Sequence, residues 1–318
     1  MKKMLCLVLA LCLLLLCGCG SKPVQNAVPE KTVRIGALTG PTSMGMVKLM
    51  ENSNYKFTLS SDPAAFITAL ARGEMDIAAM PANLAAAMYN NGKGSVEILA
   101  INTLGVLYIV ERGDTVHSLA DLKGRTIYAT GAGSTPEYTL RYLLGENDLS
   151  VGKDVAVQWC SDTTEALSYI VNDPDAVAML PQPFVTSAQL QVNDLRIAVD
   201  LNAEWSALDN GSAMVTGVLV ANREFVENNS AFIESFMKEY EASVDFVLKN
   251  PEEASDLIGE HEILMAPIAL KALPYCNITC ITGRDMEKAM EGYLQLLYDM
   301  NPNSIGGKLP ESDFYYGA

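Results

Sequence analysis

Histidine is nearly absent from these 318 residues: there are two, His117 and His261. Neither has cysteine, histidine or paired carboxylates at ligand spacing, so no metal site is expected. Basic residues are scarce too, with 22 Lys and Arg against 38 Asp and Glu and a formal net charge of −16. A surface of that sign suits neither nucleic acid nor broad contact with anionic lipid, and neither is expected as a partner. The usual signatures of catalysis and cofactor binding are missing. No serine sits in a G-x-S-x-G elbow. Gly40 and Gly45 in GPTSMGMVK stand at Walker spacing, but Met46 replaces the lysine that a phosphate loop requires. Gly131-x-Gly133 begins a dinucleotide fingerprint and then meets Pro136 where the third glycine belongs. No cofactor is expected, and no catalytic residue is nominated.

Cysteine is sparse in the body of the chain. Beyond Cys19 only Cys160, Cys276 and Cys280 remain, too few for a disulfide framework. The segment YCNITCITG reads as a strand, which would hold Cys276 and Cys280 ~13 Å apart, beyond the ~7 Å reach of a bridge. Both then face one side with Ile278 as buried free thiols, and a disulfide requires the segment to curl.

What is present begins with MKKMLCLVLALCLLLLCGCG. Lys2 and Lys3 precede an unbroken apolar run of about 14 residues, the length of a signal-peptide core and short of the ~20 needed to span a membrane. Leu16-Cys17-Gly18-Cys19 resembles a bacterial lipobox, although Cys17 is an unusual residue at that place. The resemblance implies a signal peptide at 1–18, with Cys19 as the lipidated mature N-terminus. Residues 19–30 then form a tether, and the protein sits on the extracytoplasmic face of the cell membrane, held by its lipid anchor only. Removing Lys2 and Lys3 leaves 20 basic against 38 acidic residues, near −18.

From Lys31 the pattern alternates between strand and helix. TVRIGAL, YKFTLS, Asp76–Met80 and the long apolar VEILAINTLGVLYIVER read as strands. The segments after Gly40-Pro41, PAAFITALARG and NLAAAMYNN read as helices. A second unit of the same kind follows in SLADLKGRTIYAT, VAVQWC, TTEALSYIV, AVAMLP and LRIAVDL, and MVTGVLVAN returns the chain to the first. Ile233, Met237, Tyr240, Val244, Val247 and Leu248 keep a helical period until Asn250-Pro251 stops it. The expected fold class is α/β: two lobes, each a mostly parallel sheet flanked by helices, forming a clamshell. One lobe comprises residues 31–112 with 213–318 and the other 113–212, with crossings near Arg112–Asp114 and Asn210–Val215.

RIGALTGPT, ALARGEMDIAAMP, SLADLKGRTI, TGAGSTPEYTL and AMLPQPFVTSA occur in an order that resembles the substrate-binding proteins of ABC importers. The branch is the nitrate, sulfonate, taurine and thiamine-pyrimidine type, with the type II periplasmic-binding fold. The resemblance covers roughly Thr32 to Tyr298. It implies a monomer that captures a small molecule between its lobes and hands it to an ABC permease and its ATPase. Pro181-Gln182-Pro183 departs from a pattern in which the residue between the prolines is commonly acidic. Two other readings remain open: an enzyme of the same fold acting on a pyrimidine or menaquinone precursor, and a sensor lipoprotein that does not transport.

In open α/β sheets ligands bind at the carboxyl ends of strands, which nominates a set of strand-end loops. Thr39, Gly40, Pro41, Thr42 and Ser43 precede the first helix, and Pro81 and Asn83 open the third. Asn102 and Thr103 lie near a kink in the long strand pair. Gly133, Ser134 and Thr135 open a further helix, with Thr135 as N-cap, Pro136 at the first helical position and Glu137 in the first turn. Ser161, Asp162 and Thr163 open the next, and Gln182 follows AVAML. Each of these residue types also serves in helix capping alone, and Asp162-x-x-Glu165 is already a capping box. Helix N-termini aimed at one cleft favour an oxyanion, yet no Arg or Lys lies in these loops; Lys48 and Arg141 come a turn later. A small sulfonate or carboxylate, or a polar heterocycle such as a pyrimidine, fits that set. Tyr138 and Trp159 are placed either to stack on it or to join the core.

Overall fold

The computed structural model describes residues 32 to 318; the expected signal peptide, Cys19 and the expected tether lie outside the described residues. Strand β1 (Val33–Leu38) leads into two short helical turns, α1 (Pro41–Met44) and α2 (Val47–Met50), where a single helix was expected. The break has a cause. The Ser243 hydroxyl enters the gap, donating to the Gly45 carbonyl at 2.8 Å and accepting from the Lys48 N–H at 3.3 Å, so that backbone groups freed by the break find partners.

The chain continues through β2 (Tyr55–Ser60), α3 (Pro63–Ala71), β3 (Ile77–Pro81), α4 (Ala82–Asn91) and β4 (Val96–Leu104). Next come β5 (Leu107–Glu111), β6 (Thr126–Ala129), α5 (Thr135–Glu146), β7 (Ala156–Trp159) and α6 (Thr163–Asn172). Then follow β8 (Val177–Pro181), α7 (Phe184–Gln189), β9 (Arg196–Asp200) and α8 (Leu201–Ala207). The return comprises β10 (Val215–Asn222), α9 (Arg223–Asn228), α10 (Ser230–Lys249), α11 (Pro251–Glu260), α12 (Ala266–Ala272), β11 (Ile278–Ile281) and α13 (Gly283–Met300).

Six strands form one sheet in the order β11-β4-β10-β3-β1-β2, and five form another in the order β7-β6-β8-β5-β9. In the first, β1 is parallel to β2 and β3, while β10 and β11 are antiparallel to their neighbours. In the second, β6 is parallel to β7 and β8, and β5 runs against β8 and β9. This is the two-sheet α/β architecture expected. Central strands are buried along their length, as in β3 and β4, whereas edge strand β2 is only partly covered.

Four local expectations change. The run VEILAINTLGVLYIVER does not stay in one sheet: Leu107–Glu111 pairs with β8 and β9, so the chain crosses at Gly105–Val106, not near Arg112–Asp114. Both halves are interior strands, and an interior strand is apolar on both faces whichever sheet it joins. A helix, α8, follows β9 directly, with Asp200 accepting from the Asn202 and Ala203 N–H groups as its cap. Leu248 is exposed, and Phe232 and Phe236 fill the apolar face of α10 instead. Finally, β11 starts only at Ile278, because Asn277 adopts φ +44° and turns the chain. Cys276 therefore lies before the strand, fully buried, with its thiol pushed up to about 12 by burial. Cys280 is partly exposed, and Cys160, Cys276 and Cys280 are all free.

Candidate functional site

Strand direction brings the nominated loops to two edges. On the first sheet Pro81, at the end of β3, lies opposite Gly217, and Gly217 in turn lies opposite Thr103 near the end of β4. β1 is parallel to β3, so Leu38 and the loop after it emerge on the same edge. On the second sheet β6, β7 and β8 end together at Ala129, Trp159 and Pro181, with Pro181 opposite Leu107. Only Gly105 and Val106 separate β4 from β5, and the Gln182 N–H donates to the Val106 carbonyl at 2.9 Å. The two carboxyl edges therefore adjoin at this crossing, where open α/β sheets offer strand-end loops to ligands.

On the first edge, Gly40 caps α1 without a side chain, at φ +125°, a conformation that favours glycine. Thr39 is exposed and Pro41 half-buried. Thr42 Oγ1 donates to the Leu38 carbonyl at 3.1 Å and Ser43 Oγ to the Gly40 carbonyl at 3.0 Å, so both hydroxyls fasten the loop. Asn102 occupies a β-bulge: Gly217 pairs with Thr103 and Val218 with Ile101, leaving Asn102 as the extra residue. The expected kink is there. Asn102 Nδ2 donates to the Thr42 carbonyl at 3.0 Å, which assigns Oδ1 as the free end of the amide. Asn102 is 1% exposed and Thr103 0%, and neither Asn102 Oδ1 nor Thr103 Oγ1 has a hydrogen-bond partner. Asn83 does not cap α4. It lies inside that helix and reaches the Ser304 carbonyl at 3.4 Å, while Pro81 holds the N-cap place with no side-chain bond to offer.

The second edge is built differently. Ser134, not Thr135, is the N-cap of α5, since Pro136 occupies the second helical position and not the first. Its hydroxyl turns back to the Gly131 carbonyl at 2.7 Å. The Gly133 N–H is taken by Glu137 Oε2 at 2.7 Å, and Glu137 Oε1 accepts from Arg141 Nε at 2.6 Å. Burial pushes the Glu137 carboxyl up, but the Gly133 N–H and Arg141 outweigh it and hold it below the ordinary glutamate value. Tyr138 is core: its hydroxyl donates to the Gly133 carbonyl at 2.7 Å and accepts from Asn301 Nδ2 at 2.8 Å. Trp159 is partly buried against the same apolar cluster. At α6, Asp162 Oδ1 accepts from the Thr164 and Glu165 N–H groups at 2.8 and 2.9 Å, ahead of a half-buried Thr163. Glu165 Oε2 takes the Ser161 N–H at 2.6 Å and hydroxyl at 2.7 Å, bonds that lower its pKa. The start of α6 is thus occupied by Asp162, while at α5 the carboxylate of Glu137 fastens the turn before the N-cap and leaves the helix start without a side-chain cap.

Gln182 joins the edges. It is 3% exposed, and its Oε1 accepts from the Thr186 N–H at 3.2 Å and hydroxyl at 2.9 Å. Those two bonds fix which end of the amide is oxygen and leave Nε2, buried, without an acceptor. The crossing beside it is clamped from both sides. The Gly105 N–H donates to Asn202 Oδ1 at 3.1 Å, and the Gly105 carbonyl accepts from Asn277 Nδ2 at 2.5 Å. A Cβ on Gly105 would stand 2.5 Å from Met214 Sδ.

Sequence reasoning passed over Thr186, Asn202, Asn277 and Gly217. Gly217 had a signal, a lone glycine inside the strand MVTGVLVAN, which marks a close approach. A Cβ there would lie 2.5 Å from Asn102 Oδ1 and 2.6 Å from Thr42 Cγ2. Asn202 and Asn277 act on Gly105 from far away in sequence and left no local trace, and Thr186, a turn from Gln182, has the sequence of an ordinary helix residue. Lys48 and Arg141, the nearest cations by sequence, are paired with Glu51 and Glu137. Cavities of about 400 Å³ lie elsewhere, one against α10 and the C-terminal residues and one behind the second crossing. Neither is lined by a nominated residue.

Residues 56 to 254 match the family model described as NMT1/THI5 like. No curated protein matches the chain. Among solved structures, an ABC transporter protein from Parabacteroides distasonis is 25% identical over 90% of this chain and 99% of that one, with a TM-score of 0.77. The periplasmic aliphatic sulphonate binding protein from Escherichia coli is 19% identical over 88% of this chain and 96% of its own, at a TM-score of 0.68. The periplasmic nitrate-binding protein from Synechocystis PCC 6803 is 14% identical over 74% and 67%, at 0.53. At such identities the last two speak for the fold alone.

Proposed function

Since the chain belongs to the NMT1/THI5-like family, we propose that it is an extracytoplasmic solute receptor of an ABC importer. It takes up a small polar organic solute where the carboxyl edges of its two sheets adjoin, and passes it to a permease served by an ATPase. One observation carries the reading: loops from five strand ends, far apart in sequence, reach two edges that meet at Gly105–Val106. The candidate residues on those edges are the ones nominated above, with Gln182, Asn102 and Thr103 foremost. The type of solute bound by similar proteins, a sulphonate in one and nitrate in another, places sulfonates, carboxylates and polar heterocycles among the solutes to try. Cys19 anchors the receptor through lipid; Cys19→Ser should release it from the membrane fraction or leave its precursor unprocessed. No helix among the described residues is long and apolar enough to cross a membrane.

The test is a thermal-shift screen of such solutes. A ligand at a hundred times its Kd stabilises by ~2.7 kcal/mol, a shift of several degrees. Small-angle scattering at saturation should then show a smaller radius of gyration, because two crossings between the sheets allow hinge closure. A solute that binds without changing the scattering profile would argue against capture by closure.

A further inference from the structure

We infer that the site selects an uncharged solute bearing both a hydrogen-bond acceptor and a donor, an amide for instance, with Gln182 reading the acceptor and Asn102 the donor. This rests on the solute-receptor reading and decides between the classes of solute it left open.

At the second edge the opening of α6 is already taken, and the turn before α5 carries a carboxylate of its own. Asp162 accepts from the N–H groups that open α6, while Glu137 and Glu165 accept from the Gly133 and Ser161 N–H groups just before the two N-caps. A sulfonate or carboxylate arriving at this edge would lie beside three charges of its own sign. The nearest cations by sequence cannot offset that, since Lys48 and Arg141 are engaged with Glu51 and Glu137. The buried side-chain atoms that the edges leave unpaired are polar and neutral. Gln182 Nε2 can only donate, Asn102 Oδ1 can only accept, and Thr103 Oγ1 can do either. The two amides are not free to exchange these roles, because Thr186 holds the oxygen of Gln182 and the Thr42 carbonyl holds the nitrogen of Asn102.

Buried polar groups without partners are uncommon in folded proteins and disfavour the structure that keeps them. Among the described residues six side-chain atoms are in that condition, and three of them belong to Asn102, Thr103 and Gln182. Such a concentration on two adjoining edges is accounted for by a solute that supplies the missing partners. Nitrate and sulfonates carry acceptors only and would leave Asn102 Oδ1 unpaired. An amide supplies both.

Matched pairs separate the alternatives. Nicotinamide and nicotinate, and acetamide and acetate, differ in little but the amide; nitrate and methanesulfonate complete the set. Each is added to the purified protein at millimolar concentration, and melting temperature and calorimetric Kd are read. The amides should bind at least tenfold more tightly than their acids. Gln182→Glu keeps an oxygen for Thr186 but replaces the donor, and should weaken amide binding five- to 150-fold. Thr103→Val, measured without solute, should melt higher than the parent, because it removes a buried hydroxyl that has no partner. A lower melting temperature for Thr103→Val would mean that the hydroxyl is satisfied within the protein, and the inference would be lost. If nitrate, methanesulfonate or the acids bind and the amides do not, the receptor reading survives and this inference fails. If none of the solutes shifts the protein, both are overturned.

Discussion

The two carboxyl edges have the same topology and opposite chemistry. Where β6 and β7 end, the chain's own carboxylates crowd the helix starts: Glu137 folds back onto the Gly133 N–H just before α5, Glu165 onto the Ser161 N–H, and Asp162 caps the opening of α6. Where β1, β3 and β4 end, Gly40 and Pro81 cap helices without a side-chain hydrogen bond, while Asn102 and Thr103 are buried with polar atoms unpaired. A self-capped helix start is stable and has little left to offer a solute. An edge with unpaired buried groups is less stable alone and has hydrogen bonds to give. The position of a loop at a strand's carboxyl end therefore does not decide its role; what decides it is whether the local side chains have already consumed the backbone donors.

The largest effect that would break this comparison is expected at Gly217. Gly217→Val forces a branched side chain into the space of Asn102 Oδ1 and Thr42 Cγ2, and overpacking of that kind costs about 1–3 kcal/mol. Chemical denaturation should show the loss, and any solute found in the screen should bind at least tenfold more weakly. Retention of both stability and affinity would mean that the first edge is not the close-packed site described.

Asp162→Ala tests the opposite edge. Loss of an N-cap carboxylate costs about 1 kcal/mol, within a range of roughly 0.5–2, and solute affinity should stay within twofold of the parent. A large loss of affinity with little loss of stability would turn the capped edge into the binding edge.

A smaller effect concerns acid. Glu137 and Glu165 titrate below the ordinary glutamate value of 4.5 in the folded protein. Their contribution is therefore complete above about pH 4.5 and is lost as pH falls through the lowered folded values, where protonation ends the hydrogen bonds to Gly133 and Ser161. The pair Glu137→Gln and Glu165→Gln should flatten the fall of melting temperature below pH 5 while leaving stability between pH 7 and 8 without slope from these groups. An unchanged acid limb would show that the two carboxylates do not hold the helix starts.

The smallest effect is expected for Ser134→Ala with Thr135→Ala. Ser134 Oγ is committed to the Gly131 carbonyl on an exposed turn and makes no side-chain cap bond to the helix. Melting should drop by no more than a degree or two, and a Kd raised more than fivefold would return this stretch to the binding site.

Much of the fold was legible because its signals are local. Alternating apolar runs marked the strands, Asn250-Pro251 marked the end of α10, and Asp162-x-x-Glu165 was readable as a closed helix start. Boundaries failed where a local pattern has two outcomes. Leu107–Glu111 is equally apolar in either sheet, Gly45 interrupts a helix only because Ser243 arrives nearly 200 residues later in the chain, and Asn277 bends a segment that alternates like a strand. The candidate residues were found as a class, polar groups at strand ends. Their ranking was not: Asn102, Thr103 and Gln182 look no different in sequence from Ser134 or Asp162.

By itself the sequence determined the order of strands and helices, hence the α/β class and the strand ends from which any site would be built, because periodicity and capping act within a few residues. Only the tertiary structure decided which polar groups remain unpaired. Whether Gln182 presents oxygen or nitrogen depends on Thr186, a turn away, and its place at the crossing depends on the Val106 carbonyl from another strand. The free end of Asn102 depends on the Thr42 carbonyl, 60 residues earlier. A hydrogen bond is directional and exclusive, so the availability of one atom is set by every neighbour that packing brings within reach, and those neighbours are chosen by the fold.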